Sequence, residues 1–225
     1  MLTPRLEMIL QNIKTDKIAD IGTDHGFIPI ELAKRGKTVI ATDANAGPLD
    51  SARKNIEKNG LEISLRPGNG LAPLSEGEAE EIIIAGMGGE LIKKIISNDL
   101  EKARSSRLIL QPMSLQAELR RFLTENGFEI VSEDLAKEDR KIYNLIIAKA
   151  GKAQTVSCET DLHLPPVLYP HPLFPMLLAK KEREFTKQFK GLSKSETADP
   201  NSLARLKRLL DDIDRIKKEV ILSEA

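Results

Sequence analysis

The chain has 225 residues, enough for one full-sized domain and a smaller appendage around a cooperative core. Its 34 Lys and Arg balance its 34 Asp and Glu, which excludes a uniformly basic surface and leaves room for a local basic patch. One cysteine, Cys158, excludes an internal disulfide or a multi-cysteine metal site, and no apolar run is long enough for a membrane helix.

The opening residues, Thr3 to Ile13, place Leu6, Ile9, Leu10 and Ile13 at helical spacing, with Thr3 as cap and Pro4 at the first helical position. They lack a signal peptide's apolar core, so a cytoplasmic protein is expected. Lys17 to Gly26 then organises the chain. Ile18, Ala19 and Ile21 suit a buried parallel strand carrying Asp20, and the loop Gly22-Thr23-Asp24-His25-Gly26 turns tightly enough for a ligand to approach the backbone. A helix over Phe27 to Arg35, with Pro29 in its first turn, leaves free N–H groups near that loop.

Thr38 to Asp43 is a second buried strand whose terminal acid falls 21 positions after Gly22. In a nucleotide-binding β-α-β unit, an acid there faces ribose hydroxyls, so Asp43 and the neighbouring Ala44 are candidates for the cofactor's ribose side. A helix from about Pro48 to Asn59 stops at Gly60, and a strand from Ile63 to Arg66 runs into Pro67-Gly-Asn-Gly70. Asn69 carries both the donor and the acceptor that adenine recognition needs; the alternative is a turn residue.

Glu81 to Gly86 is a fourth buried strand opening into Gly86-Met-Gly-Gly89, followed by a helix with Leu91, Ile92, Ile95 and Ile96. Arg107 to Pro112 is a fifth strand, and Leu115 to Asn126 a helix ended by Gly127. Phe128 to Asp134 and Lys141 to Lys149 are then joined by a connection too short for a helical crossover, so they pair antiparallel. The fold class is therefore α/β: a mostly parallel Rossmann-like sheet with a closing antiparallel hairpin. That hairpin, and the Thr23-Asp24 interruption of the glycine pattern, argue against a nicotinamide domain and for the S-adenosylmethionine-dependent methyltransferase sheet.

Residues 1–150 are expected to form that domain, 151–164 a linker and 165–225 a helical hairpin. Phe174, Leu177, Leu178, Lys181, Phe185, Phe189 and Leu192 mark one stripe; Leu203, Leu206, Leu210, Ile213, Ile216 and Val220 mark the other. Facing stripes make an antiparallel coiled coil. Its basic outer faces, including Lys180, Lys181 and Arg183, suit either solvent or RNA.

With these residues assembled, the sequence resembles the bacterial tRNA (adenine-N1)-methyltransferases that modify adenosine 22 in the D-arm. The resemblance lies in Asp20-Ile-Gly-Thr-Asp-His25, Gly68-Asn-Gly-Leu71, Ile84-Ala-Gly-Met-Gly-Gly89, Leu110-Gln-Pro112 and Lys141-Ile-Tyr143, and loosely in the helical hairpin. Asn69 stands where Asp is common in such enzymes, and Met113 where the family often has Asn. The resemblance implies S-adenosylmethionine as cofactor, with S-adenosylhomocysteine as product, and tRNA as partner; His25, His163 and His171 are too scattered for a metal site, and a monomer is favoured with the oligomeric state left open.

On this reading Asp20, Gly22, Thr23, Gly26, Asp43, Ala44, Asn69, Gly70, Gly86, Met87 and Gly88 surround the cofactor. Gly89, Gln111, Pro112 and Tyr143 face the acceptor base or RNA. Asp24 is the candidate for stabilising charge on the methylated adenine, against a role capping the next helix. His25 is the second catalytic candidate, for contact with the base or a phosphate. Two other classes stay open: a methyltransferase acting on a different acceptor, and a cofactor-binding module without catalysis.

Overall fold

The computed structural model describes residues 2–152, 158–195 and 197–223, the side chains of 220–223 excepted. Two compact units divide the chain between residues 155 and 156.

The first unit alternates strands and helices: α1 Pro4–Gln11, β1 Lys17–Ile21, α2 Phe27–Lys34, β2 Thr38–Asp43, α3 Ala46–Lys58, β3 Ser64–Pro67, β4 Glu81–Gly88, α4 Gly89–Asn98, α5 Leu100–Arg104, β5 Arg107–Ser114, α6 Gln116–Glu125, β6 Phe128–Glu138 and β7 Lys141–Ala150. The seven strands form one sheet in the order β3-β2-β1-β4-β5-β7-β6. β1 to β5 run parallel, and β7 runs antiparallel to both β5 and β6.

The central strands are continuous apolar runs because helices cover both faces. Ala19, Ile21, Ile82, Ile84, Leu108 and Leu110 pack with Ile92 and Ile96 of α4 and Leu119 and Leu123 of α6. Their neighbours Ile18, Val39, Ile83, Ile109 and Ile147 point the other way, onto Met8, Ile9 and Leu10 of α1 and Ile28 and Leu32 of α2. At the N-terminal edge, fully buried Glu81 accepts from the Lys14 and Thr15 backbone N–H groups, the Thr15 hydroxyl and the Arg107 guanidinium. At the other side of the sheet, Arg120 on α6 and Glu133 on β6, each 2% exposed, pair at 2.6 Å. These bonds keep buried charges matched and fix where the strands end.

Two boundaries differ from the sequence reading in ways that shape the site. β4 continues through Gly86-Met87-Gly88, with the ladder against β5 bulging between Ala85 and Met87. Gly86 takes φ 76° there, so the glycines re-aim a strand end instead of opening a loop. β5 likewise continues past Pro112 to Ser114.

The second unit contains α7 Glu159–His163, a 3₁₀ turn at Pro166–Leu168, α8 Phe174–Leu192 and α9 Pro200–Ser223. α7 falls within the expected linker, whose residues 153–157 lie outside the described residues. It is held by tertiary contacts that local periodicity does not reveal: the Thr160 hydroxyl donates to Asp212 Oδ2 at 2.6 Å, Arg205 pairs with Glu159, and Leu162 is buried. α8 buries Phe174, Leu177, Leu178 and Phe185; α9 buries Leu206, Leu209, Ile213 and Ile216. Leu209 thus takes the inward place assigned to Leu210, and Val220 lies outside the described side chains. Asp199 caps α9, accepting from the Asn201 and Ser202 N–H groups. Among the described residues no helix is long and apolar enough to cross a membrane.

Candidate active site

The loop after β1 is stapled to the tip of β2. Both Gly22 and Thr23 donate their N–H groups to the Thr42 carbonyl, at 2.8 and 3.0 Å, and Gly26 closes the loop onto the Thr23 carbonyl at 2.9 Å. Gly26, at φ 74°, is the N-cap of α2, and a Cβ there would press on Ala52 of α3. Glycine is what lets the loop and two helices converge.

Asp20 and Asp43 stand on the same face of neighbouring strands, at 4% and 9% exposure. Burial pushes the Asp20 carboxyl up to about 6, the Asp43 charge adds to the rise, and the Thr23 hydroxyl opposes it. Neither acid has an ion-pair partner among the described residues. Asp43 Oδ1 accepts from the Asn45 N–H at 2.8 Å, and its carbonyl accepts from the Gly68 N–H at 3.0 Å. Oδ2 has no protein partner among the described residues, so one face of the carboxylate remains available. Ala44 and Asn69 are exposed beside this corner. Gly70 backs against Ile95, and a cleft of about 50 Å³ is lined by Asn69, Gly70, Lys94 and Asn98.

Met87 joins this corner to the tips of β4 and β5. A Cβ on Gly22 would lie 2.1 Å from Met87 Cε, so the thioether end lies directly against the β1 loop. Met87 pairs with Pro112, and Gly88 with Ser114. Gln111 Oε1 accepts from the bulged Gly86 N–H at 3.2 Å and from Arg5 Nη1 at 3.0 Å, while its Nε2 donates to the Pro112 carbonyl. Gln111 is fully buried with both ends engaged, so it shapes the strand tips and has no free group to offer an acceptor base. Gly89 is likewise a packing glycine: a Cβ there would stand 2.7 Å from the Ser114 and Leu115 carbonyl oxygens. Tyr143 is half-buried, packed beside the α1 core, with the Arg5 guanidinium 5.7 Å from its ring centre.

Asp24 and His25 lie on the exposed side of the β1 loop, 3.8 Å apart. Asp24 takes φ 47°, and no side chain caps α2, which removes the helix-cap alternative. The His25 ring is 5.6 Å from that of Phe27. In the second unit the three expected cations differ. Lys181 is held by Glu184 at 2.9 Å, Lys180 is half-buried and lowered by that burial, and Arg183 is exposed. Arg183 lines an open groove of about 580 Å³ with Lys187, Lys190 and Lys194.

Sequence reasoning missed the contacts of Arg5 and Asn45. Arg5 carries no motif, and only the amphipathic turn over the sheet places it at the strand tips. Asn45 was readable as an N-cap residue two positions past Asp43.

A family model described as a methyltransferase domain matches residues 2–146. The tRNA (adenine(22)-N(1))-methyltransferase of Bacillus subtilis is 37% identical over 156 residues, an alignment spanning 67% of this chain and 66% of that relative, just under two thirds of its length. The crystal structure of the B. subtilis m1A22 tRNA methyltransferase TrmK superposes with TM-score 0.83 at 30% identity, covering 98% of this chain and 99% of that one. Streptococcus pneumoniae Sp1610, solved in complex with S-adenosyl-L-methionine, gives TM-score 0.80 at 34% identity, covering 93% of this chain and 100% of that one. The chain belongs to the tRNA (adenine(22)-N1)-methyltransferase family.

Proposed function

We propose that the protein transfers a methyl group from S-adenosylmethionine to N1 of adenosine 22 in the D-arm of tRNA, acting as a monomer in the cytoplasm. The observation that carries the reading is the buried Asp20 and Asp43 pair, which has no cation partner among the described residues and stands where the β1 loop is stapled to the tip of β2. Acids so placed fit a cofactor that carries both an ammonium, for Asp20, and ribose hydroxyls, for Asp43.

The cofactor, when bound, supplies an electrophilic methyl on sulfur for in-line displacement by the adenine N1 lone pair. The chain's own residues position and desolvate. Asp43 Oδ2 accepts from a ribose hydroxyl, with Ala44 alongside. Asp20 meets the methionine ammonium, and the Gly22, Thr23 and Gly26 loop admits the chain of that methionine. Asn69 and Gly70 border the adenine, and Gly86, Met87 and Gly88 wall the path between donor and acceptor. Near-attack placement is worth roughly 7–11 kcal/mol of the barrier, so no elaborate proton relay is needed.

N1-methyladenine is cationic near neutral pH, and the exposed Asp24 carboxylate is placed at the open side of the loop to offset that charge. His25 contacts the base or its phosphate. Pro112 and Tyr143 border the acceptor, while Gln111, held by Arg5, fixes their strand tips. In the helical unit Arg183, with Lys187, Lys190 and Lys194, meets RNA phosphates. Incubation with labelled S-adenosylmethionine and unmodified bacterial tRNA, followed by mapping of the modified nucleotide, tests the reading. Label at N1 of adenosine 22 is expected; label retained only on another acceptor overturns it.

A further inference from the structure

An adenine attacked at N1 offers its Watson–Crick edge, so a paired or stacked base must first be turned out. Proteins that hold such a distortion commonly insert an apolar side chain into the stack. The end of β5 presents two such side chains beside Gly88 and Gly89: Met113 is 46% exposed and Leu115 43%.

Leu115 has a backbone that aliphatic residues seldom adopt, φ 55° and ψ 42°, the left-handed region that favours glycine or asparagine. Its position is fixed from both sides. Its carbonyl starts α6 by accepting from the Leu119 N–H at 3.0 Å, and Gly89 packs against it with no room for a Cβ. A glycine would meet the backbone demand at less strain, and a buried role does not account for a side chain left 43% exposed.

We infer that Leu115, with Met113 beside it, is a wedge that occupies the RNA stack where the acceptor adenosine leaves it. The inference rests on the tRNA adenosine reading above and adds the means of base exposure. The wedge lies on the strand whose other end residues border the acceptor, so the RNA stack is its occupant.

The test compares the full-length protein with Leu115→Gly, which relieves the left-handed strain, and Leu115→Asn, which tolerates it. Each is assayed for thermal midpoint, cofactor affinity, and kcat and KM on two transcripts: the folded tRNA and one with the same adenosine unpaired in a bulge. Both variants are expected to melt at or near the wild-type temperature and to bind S-adenosylmethionine unchanged. They lose at least tenfold in kcat on the folded tRNA and recover most of it on the bulged transcript. Wild-type kcat on folded tRNA, an equal loss on both transcripts, or a matching loss of thermal stability overturns the wedge alone. A wild-type protein that methylates neither transcript overturns the proposed function, and the wedge with it.

Discussion

The two halves of the strand-tip edge solve opposite problems. The β1 and β2 tips hold two buried acids in a corner stapled by the Thr42 carbonyl, with one carboxylate oxygen of Asp43 unclaimed. The β4 and β5 tips bury Gln111 with its amide fully engaged and leave Met113 and Leu115 partly exposed. A small cationic ligand is recognised by charge in a dry corner, whereas a base swung from a stack is received by shape and apolar surface. The first half keeps unmatched charge at a cost in stability; the second keeps exposed apolar surface.

Asp20 gives the largest expected effect. Its carboxyl titrates near 6 in the fold against an ordinary value of 3.8, so between those values the native state holds more protons than the unfolded chain. Stability of the cofactor-free protein therefore falls as pH rises through that window. The shift corresponds to about 3 kcal/mol once the pH exceeds both values. Asp20→Asn should remove this penalty, gaining up to about 3 kcal/mol at pH 7.5 and little at pH 3.5, while cofactor affinity drops at least tenfold. Urea melts of both proteins across pH, with calorimetric titration of S-adenosylmethionine, measure the two effects. A variant that gains nothing at pH 7.5 removes the contrast between a charged corner and a neutral one.

Asp43→Ala comes next. Losing the carboxylate proposed to accept from a ribose hydroxyl should weaken cofactor binding by one to two decades, about 1.4–2.8 kcal/mol. Unchanged affinity by calorimetry removes the ribose assignment.

Asp24→Ala sharpens the comparison from the open side of the same loop. It should slow methyl transfer by about tenfold at saturating substrates and leave the cofactor dissociation constant within about twofold. A variant that loses cofactor affinity in step with rate would move Asp24 to the cofactor half.

What the sequence made legible follows the same divide. The positions of Asp20, Gly22 and Asp43 at the strand ends and the turn between them are readable because apolar runs ending at an acid or a glycine are local signals. Thr38 to Asp43 and the closing antiparallel hairpin were equally readable, since apolar runs and short connections are local signals. Gln111 and Gly89 looked like groups facing a ligand because their motif marks a site. Their contacts are distant along the chain: Gln111 is held by Arg5 and Gly86, 106 and 25 positions away, and Gly89 packs on Ser114 and Leu115. α7 was missed for the same reason, because Thr160 finds Asp212 only in the folded unit.

The smallest expected effect concerns the helical unit. Of its expected cations, Lys181 is neutralised by Glu184 and Lys180 is half-buried, while Arg183 shares an open groove with Lys187, Lys190 and Lys194. Each phosphate contact contributes a salt slope of about 0.7–0.9, so Lys187→Ala with Arg183→Ala should lower the slope of tRNA binding by about 1.5 and weaken binding several-fold at moderate salt. Lys181→Ala should change the slope far less, because its charge is already paired. Cofactor affinity should stay fixed in both. Filter binding across a salt series reads the difference, and equal slopes for the two variants would make the basic face of α8 a solvated surface with no part in holding RNA.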